Sequence, residues 1–201
     1  MAKDKDIDVK EIQEAVRKKY AEASLSTAGK FKYPTGKAGV ASLEYDHALV
    51  GDIPDEVLDG FCGVGNPFSL GPIKPGEALL DVGCGAGFDL IVASRLIGPT
   101  GRLCGIDLTP EMVERARKNL EQAGVFNAQV LLAYSEEIPH ADGTFDVVIS
   151  NGVLNLSPLK ERSFREIFRV LKVNGRLQFA DIILKEDLPG EIAHSLDAWS
   201  E

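Results

Sequence analysis

The chain has 201 residues, of which 44% are hydrophobic and 26% charged, and this balance favours one domain with a single core. Its formal net charge of −9 argues against a nucleic-acid or anionic-membrane surface, because phosphates would be repelled. The charged N-terminus and the lack of a long apolar run argue against a signal peptide and a membrane span. The cysteines at positions 62, 84 and 104 have no metal-binding spacing, so we expect a cytoplasmic protein that binds no metal.

Residues 1–70 are expected to form a helical cap or lid. An amphipathic helix is predicted over residues 7–23, where Ile12, Val16 and Tyr20 recur at steps of four among charged residues. The segment that follows is rich in glycine and proline, which predicts a loop with only patchy helical character before the core begins.

Residues 71–201 are expected to form an α/β core. Short apolar runs predict five strands, over residues 78–82, 102–107, 128–133, 145–150 and 176–184. Helices are predicted over residues 88–97, 110–124, 159–171 and 189–199, with Thr109 as the N-cap of the second. Strands that alternate with helices at this spacing imply parallel βαβ units, and therefore a Rossmann-like, open, doubly wound and mostly parallel sheet.

The first predicted strand runs into a glycine-rich turn, in which Gly83, Cys84, Gly85 and Gly87 follow Asp81. Positions without side chains let the backbone turn sharply and let a ligand lie against the main chain. In an open α/β sheet, ligands bind at the carboxyl ends of the strands, where this turn lies. A role in packing alone is the alternative explanation for such a turn.

The spacing of these glycines indicates which ligand to expect. A dinucleotide turn has the spacing G-x-G-x-x-G, whereas here the third glycine comes one place early and Phe88 occupies the position of close helix packing. A P-loop is excluded because no Gly-Lys-Ser/Thr is present. The turn resembles the E/D-x-G-x-G-x-G turn of class I methyltransferases, which implies the class I fold and S-adenosylmethionine as cofactor. By that resemblance the turn holds the methionine part, and Asp81 helps to orient its amino group.

Asp107 ends the second predicted strand, 24 residues past Gly83, where a carboxylate can accept hydrogen bonds from both ribose hydroxyls. Capping of the next helix is the alternative, although Thr109 is the better-placed cap. A dehydrogenase would use an acid at the same place, so Asp107 indicates a nucleoside without choosing the cofactor. Leu108 belongs to the same predicted binding set. Met112 is placed either against the adenine face or in the core.

Other pocket residues follow from the resemblance to class I methyltransferases. Residues 131–139, LLAYSEEIP, resemble the adenine-edge segment G-D-A-E-x-L-P, which places Ser135 and Glu136 in the pocket. Tyr134 stands where many members have an acid that accepts from the adenine amino group, so backbone groups near Ser135 are expected to recognise adenine. Glu136 is equally well explained as a solvated surface acid. Asn151, just past the fourth strand, is expected to offer its backbone carbonyl to the cofactor ammonium.

The chain is similar to the arsenite methyltransferases over most of residues 12–200. The similarity is most specific in GVGNP at 63–67 and KPGE at 74–77, in GAGFD at 85–89, and in SNGVLNLSP at 150–158. A tyrosine close to the cofactor in that family corresponds to Tyr20. The resemblance implies a methyltransferase that acts on a small-molecule acceptor.

Several cysteines of the arsenite enzymes are missing. Those enzymes hold trivalent arsenic between thiolates, because arsenic is a soft centre that prefers sulfur. Here Gly152 and Val64 stand at two of the cysteine positions, and the loop at residues 31–36, which carries a cysteine pair in many members, has none. Cys62 lies two residues from one of these positions, but one thiolate cannot form a trithiolate site. We therefore expect an altered acceptor site, with arsenite in doubt as the acceptor.

Tyr20 and His47 are the only candidates for a general base, which is needed only if the acceptor is protonated at neutral pH. His47 is alternatively a surface helix residue. A class I methyltransferase usually continues past its fifth strand into an antiparallel strand pair, which a chain ending at Glu201 is expected to lack.

Two further functions stay open at this point. One is a module that binds S-adenosylmethionine or its product without transferring the methyl group, which the missing cysteines favour. The other is a nicotinamide-dependent oxidoreductase, which Phe88 disfavours. The sequence gives no indication of the oligomeric state.

Overall fold

The computed structural model describes residues 8–185 and residue 199. Its N-terminal region contains four helices, α1 Val9–Leu25, α2 Gly36–Ser42, α3 His47–Val50 and α4 Asp55–Leu58, followed by a 3₁₀ turn at Pro67–Leu70. Helix α1 begins where the Asp8 carboxylate accepts a hydrogen bond from the Lys10 N–H over 3.2 Å, which is an N-cap interaction. The predicted first helix is therefore confirmed, with its end shifted by two residues.

Five parallel strands form one sheet in the order β3-β2-β1-β4-β5. The strands are β1 Ala78–Val82, β2 Arg102–Asp107, β3 Ala128–Leu132, β4 Phe145–Asn151 and β5 Leu171–Ala180. The helices that connect or flank them are α5 Phe88–Ile97, α6 Pro110–Gln122 and α7 Lys160–Val170, with a second 3₁₀ turn at Leu154–Leu156. Parallel strands need such crossover connections.

Alternate residues of the strands face two different cores, because side chains of a strand point to opposite faces of the sheet. Leu79 of β1 belongs to the core formed with α5 and α6, whereas Leu80 belongs to the core that includes Ile167 and Val170 of α7. Helices therefore cover both faces, which confirms the predicted Rossmann-like doubly wound class. The core on the α5 side also includes Phe61, so the N-terminal region packs directly onto the sheet. The expectation that residues 1–70 form a helical cap or lid stays a prediction.

Helix α1 reaches the loops that follow β2 and β4. Its buried residues Ile12 and Val16 pack with Leu156, and Tyr20 and Leu108 border the same cluster. This contact places α1 beside the carboxyl ends of the strands, where the predicted ligand site lies.

The predicted start of the fifth strand at residue 176 is wrong. β5 begins at Leu171, directly after α7, and ends at Ala180 rather than at residue 184. Leu171 pairs with Phe145 of β4, and the next paired residue of β5 is Arg176, opposite Val147. The residues between them are unpaired with β4, and Asn174 among them has a φ of +65°. The Asn-Gly pair that signals a turn thus forms a bulge inside the strand instead of preceding it.

None of the helices in residues 8–185 combines the length and apolar character that a membrane crossing requires. The helix predicted over residues 189–199 lies outside the described residues except for Trp199. The expectation that the chain lacks an antiparallel strand pair after its fifth strand also stays a prediction.

Candidate functional site

Two adjoining cavities lie at the carboxyl ends of the strands. The larger, the main cleft, encloses about 730 Å³ when the open solvent at its mouth is included. It is lined by Gln13, Val16, Tyr20, Cys62, Gly83, Gly85, Ile106, Asp107, Leu108, Thr109, Ala133, Tyr134, Ser135, Glu136, Asn151, Gly152, Val153, Leu156, Ser157 and Pro158. The smaller, the inner cavity, is lined by Gly60, Phe61, Cys62, Gly63, Asp81, Gly83, Cys84, Gly85, Ala86, Phe88, Asp89 and Asn151. The two cavities share four lining residues, so one elongated ligand can occupy both.

The three glycines of the turn have different surroundings. All three have positive φ angles, of +74° at Gly83, +49° at Gly85 and +85° at Gly87, which favour glycine. A Cβ atom at Gly83 would collide with the side chain of Val153, and one at Gly87 would lie 3.2 Å from the Cβ of Ala116 in α6. Only Gly85 has open space in that direction. That the bare backbone of the turn holds the ligand stays a prediction: Gly83 and Gly85 line both cavities, whereas Gly87 lines neither.

The carboxylate of Asp107 joins the glycine turn to the start of α6. Its Oδ2 accepts a hydrogen bond from the Gly85 N–H and its Oδ1 accepts one from the Thr109 N–H, each over 2.9 Å. Thr109 occupies the N-cap position, but its hydroxyl makes no capping hydrogen bond within the described residues. Thr109 is therefore the N-cap residue, as predicted, but its side chain does not cap α6, and its own N–H donates to Asp107.

Three buried carboxyl groups surround the turn: Asp81 at the end of β1, Asp89 in the first turn of α5, and Asp107. Burial raises the pKa of Asp81 well above its usual range, and the charges of Asp89 and Asp107 raise it further. Burial raises the pKa of Asp89 to about 6 and raises the pKa of Asp107. None of the three forms an ion pair with a residue of the described chain. Buried acids without a cationic partner favour a ligand that carries positive charge.

The side chain of Asn151 ties the end of β4 to the segment before β1. Its Oδ1 accepts hydrogen bonds from the N–H groups of Val64 and Gly65, over 2.8 and 3.0 Å. Its Nδ2 donates to the Gly65 carbonyl over 2.8 Å and to Asp89 Oδ2 over 3.0 Å. The Tyr45 hydroxyl donates to the other oxygen of Asp89 over 2.7 Å. The Asn151 amide is thus fully used within the chain, and a contact of its backbone carbonyl with the cofactor stays a prediction.

Sequence reasoning did not identify Asp89 or Tyr45 as site residues. Asp89 is the only acid in the otherwise apolar first turns of α5, FDLIVASRLI, and a buried acid in such a helix needs polar partners. That signal could have marked Asp89. Nothing in the sequence connects Tyr45 with a residue 44 positions away.

Glu136 lies in the loop after β3, with only 6% of its surface exposed, so its interpretation as a solvated surface acid is wrong. Its Oε1 accepts a hydrogen bond from the Ser157 hydroxyl over 2.7 Å, and its Oε2 lies 3.1 Å from the Ser135 hydroxyl. Tyr134 also lines the main cleft but is 43% exposed.

Most of the predicted site residues line one of the two cavities: Tyr20, Asp81, Gly83, Cys84, Gly85, Asp107, Leu108, Ser135, Glu136 and Asn151. Three do not. Met112 is fully buried with Ala23 and Ala86, so its alternative interpretation as a core residue fits. Gly87 packs against α6, and His47 is exposed at the start of α3, away from both cavities. The structure therefore does not bring His47 or Met112 to the site.

Neither Tyr20 nor Cys62 is deprotonated at neutral pH. Burial raises the pKa of Tyr20 well above its usual value, and Cys62 and Tyr33 raise it further. Burial also raises the pKa of Cys62 to about 12, with Asp107 contributing in the same direction. The Tyr33 hydroxyl donates a hydrogen bond to the Cys62 carbonyl over 3.0 Å. The cleft thus contains a neutral phenol and a neutral thiol.

Gly152 and Val64, which stand at two cysteine positions of the arsenite family, are neighbours in space. A Cβ atom at Gly152 would lie 3.2 Å from Cγ1 of Val64. The place where two thiolates would meet is therefore filled by an aliphatic side chain. In the described part of the chain, no group of histidine, cysteine or acidic residues fits a metal ion.

The sequence matches the family model described as a methyltransferase domain over residues 73–201. The chain belongs to this methyltransferase family. An arsenite methyltransferase from Halobacterium salinarum is 34% identical to it, over 96% of this chain and 53% of the relative. The chain spans about half the length of such curated relatives.

Two solved methyltransferase structures resemble the fold. One is an arsenic(III) S-adenosylmethionine methyltransferase from Chlamydomonas reinhardtii, with a TM-score of 0.64 and 34% identity, covering 73% of this chain and 51% of that one. The other is a SAM-dependent methyltransferase from Aquifex aeolicus, with a TM-score of 0.55 and 27% identity, covering 74% and 80%. The methyltransferase thus has the class I fold, and S-adenosylmethionine is the cofactor of its family.

The residues of this methyltransferase fit that cofactor. S-adenosylmethionine carries a positive sulfonium and a positive ammonium, and the turn is surrounded by buried carboxyl groups that lack a cationic partner in the described chain. The open backbone at Gly85 leaves room for a ligand at the junction of the two cavities.

Proposed function

We propose that the chain catalyses S-adenosylmethionine-dependent methyl transfer to a small-molecule acceptor in the main cleft. One observation supports this most strongly. Gly85 has open space beside it, while its N–H is bonded to the buried carboxylate of Asp107. Bare backbone next to a strand-end carboxylate is the arrangement that a nucleoside-containing ligand requires.

The cofactor would lie along the strand ends, with each part beside a different group of residues. Asp81 and the inner cavity would hold the amino-acid part, and Asp107 would accept hydrogen bonds from the ribose. The base would lie beyond β3, near Leu108 and Ser135, both of which line the main cleft. When bound, S-adenosylmethionine supplies an electrophilic methyl group on its sulfonium.

The residues of the cleft contribute alignment rather than proton removal. Since Tyr20 and Cys62 keep their protons at neutral pH, neither is ready to act as a base. Their role would be to exclude water and to orient an acceptor whose lone pair is already free. Holding two reactants in line makes the step effectively unimolecular, which provides a large rate enhancement.

Arsenite itself is not the acceptor that these residues favour. Arsenic(III) prefers several thiolates, but Cys62 is the only cysteine that lines the main cleft, and it is protonated. The net charge of −9 further supports a free small molecule, rather than a nucleic acid, as the partner.

Calorimetry with S-adenosylmethionine, S-adenosylhomocysteine and NAD tests the cofactor, and we expect the first two ligands alone to bind. Radiolabelled methyl transfer to a panel of small metabolites that carry a free lone pair at neutral pH, together with arsenite, then tests the reaction. We expect label on at least one acceptor other than arsenite. Binding without transfer to any acceptor would instead indicate a module that holds the cofactor.

A further inference from the structure

The walls of the two cavities contain acids but no bases. Among the residues that the structure describes, no lysine, arginine or histidine lines the main cleft or the inner cavity. Tyr20 and Cys62 keep their protons at neutral pH. The acidic residues of the walls are Asp81, Asp89, Asp107 and Glu136. A ligand in these cavities therefore meets neutral and negative groups and no positive one.

Two basic residues lie outside these walls, and their charged groups contact other parts of the chain. The Nζ of Lys19 lies 5.0 Å from the ring centroid of Phe31. Arg115 donates hydrogen bonds to the carbonyl oxygens of Ser24 and Glu56, over 2.6 and 3.1 Å. An anionic acceptor, such as a thiolate, would therefore enter the main cleft without a counterion, and this costs free energy.

The carboxyl groups of the walls are already engaged, so none is placed to take a proton from an acceptor. Asp81 and Asp89 line only the inner cavity, where the amino-acid part of the cofactor would lie. Asp107 accepts a backbone N–H with each of its two oxygens, over 2.9 Å. Glu136 follows β3 and accepts a hydrogen bond from the Ser157 hydroxyl over 2.7 Å. The acceptor must therefore bring a lone pair that is free without the loss of a proton.

The junction of the two cavities indicates where the acceptor meets the cofactor. With its amino-acid part in the inner cavity and its ribose at Asp107, the cofactor would place its sulfonium between them. The residues that line both cavities at this point are Cys62, Gly83, Gly85 and Asn151. Val153 borders the junction, because a Cβ atom at Gly83 would collide with its side chain.

The wall of the main cleft beside the junction is largely aliphatic. Gly152 lies next to Val153 and faces the side chain of Val64, which is 3.2 Å from the position of a Cβ atom there. Val16 and Leu156 line the same cleft. An acceptor atom that bonds strongly to water would lose those hydrogen bonds here. A thioether sulfur loses little, since it is only a weak acceptor.

We propose that the methyl acceptor in the main cleft is an uncharged thioether, which becomes a sulfonium ion. This inference rests on the proposed function. The lone pair of the acceptor sulfur forms a bond to the methyl carbon, while the bond from that carbon to the cofactor sulfur breaks and leaves its electron pair there. The positive charge passes from one sulfur to the other, and no proton is released. The acidic walls therefore face one positive sulfur before and after the step.

Radiolabelled methyl transfer at pH 8 compares three probes of similar size. Methyl phenyl sulfide is uncharged, thiophenol is ionised to its thiolate, and benzylamine is protonated. Each rate is divided by the uncatalysed rate, because a thiolate reacts faster by itself. We expect the acceleration for the sulfide to exceed that for thiophenol by roughly tenfold or more, and no methylation of benzylamine. Gly85→Val is the control and should methylate none of the three, since we expect it to lose the cofactor.

Calorimetry on the complex with S-adenosylhomocysteine gives a second readout that needs no turnover. We expect methyl phenyl sulfide to bind roughly tenfold or more tightly than thiophenol at pH 8, because the acidic walls repel the thiolate. If thiophenol shows the larger acceleration and binds more tightly, or if benzylamine is methylated, the inference fails while the proposed function stands. The same holds if another acceptor is methylated and the sulfide is not. If the chain methylates nothing, both fail.

Discussion

The side-chain amide of Asn151, the last residue of β4, donates a hydrogen bond to Asp89 Oδ2 in the first turn of α5 over 3.0 Å. The oxygen of the same amide accepts hydrogen bonds from the backbone N–H groups of Val64 and Gly65. Gly63 lies so close to Asn151 that a Cβ atom there would collide with it. This one residue therefore fixes three segments around the inner cavity.

Replacing Asn151 with alanine should both destabilise the fold and weaken cofactor binding. The N–H groups of Val64 and Gly65 would lose their acceptor, which costs about 1–3 kcal/mol. Urea unfolding measures the free energy, and calorimetry measures the dissociation constant. Asn127→Ala is the control, since the Asn127 side chain also bonds backbone groups, the carbonyls of Gly98 and Gly101, but lines neither cavity. Equal losses of affinity in both variants would contradict this role.

Asp89 should make the free energy of unfolding depend on pH. Its pKa is about 6 in the folded chain and near 3.8 when unfolded, so the folded state holds the proton more tightly. The stabilisation is complete below pH 4 and is lost as the pH rises through 6. The free energy of wild type minus that of Asp89→Asn should therefore fall by about 1–3 kcal/mol over this range. A difference that is constant or rises with pH would contradict the prediction.

Asp107→Ala should weaken S-adenosylmethionine binding by about 1.5–3 kcal/mol, because the ribose and the Gly85 N–H both lose a charged acceptor. Asp146→Ala provides the comparison. Asp146 accepts a backbone hydrogen bond from Ala78 over 2.9 Å, but near the start of β1 and β4, at the opposite end of the sheet from the cleft. It should cost stability without changing the dissociation constant. An unchanged dissociation constant in Asp107→Ala would refute the ribose contact.

Cys62 should react slowly with iodoacetamide at pH 8, since a thiol with a pKa of about 12 is almost entirely protonated. We expect alkylation well over a hundredfold slower than that of free cysteine, with recovery of the normal rate in urea. Mass spectrometry assigns the label to its residue. Rapid labelling of Cys62, or protection of it by added arsenite, would show a reactive thiolate and restore arsenite as a candidate acceptor.

The sequence was most informative where a local pattern determines the structure. The glycine turn and Asp107 were predicted because strand, turn and acid are close along the chain. Val153 behind Gly83 and Tyr45 beside Asp89 were not predicted, because these contacts join segments 44 or more residues apart. The start of β5 was misplaced because an Asn-Gly pair that is typical of a turn forms a bulge inside the strand.

We expect the cofactor to lie against the open backbone at Gly85, and calorimetry with S-adenosylmethionine on two valine variants tests this placement. Gly124 is a matched control, because it also has a positive φ, of +70° against +49°, and open space beside it, but it lies outside both cavities. We predict that Gly85→Val loses measurable binding while Gly124→Val keeps the wild-type dissociation constant. Equal, undiminished affinity in both variants would show that the cofactor does not lie at Gly85.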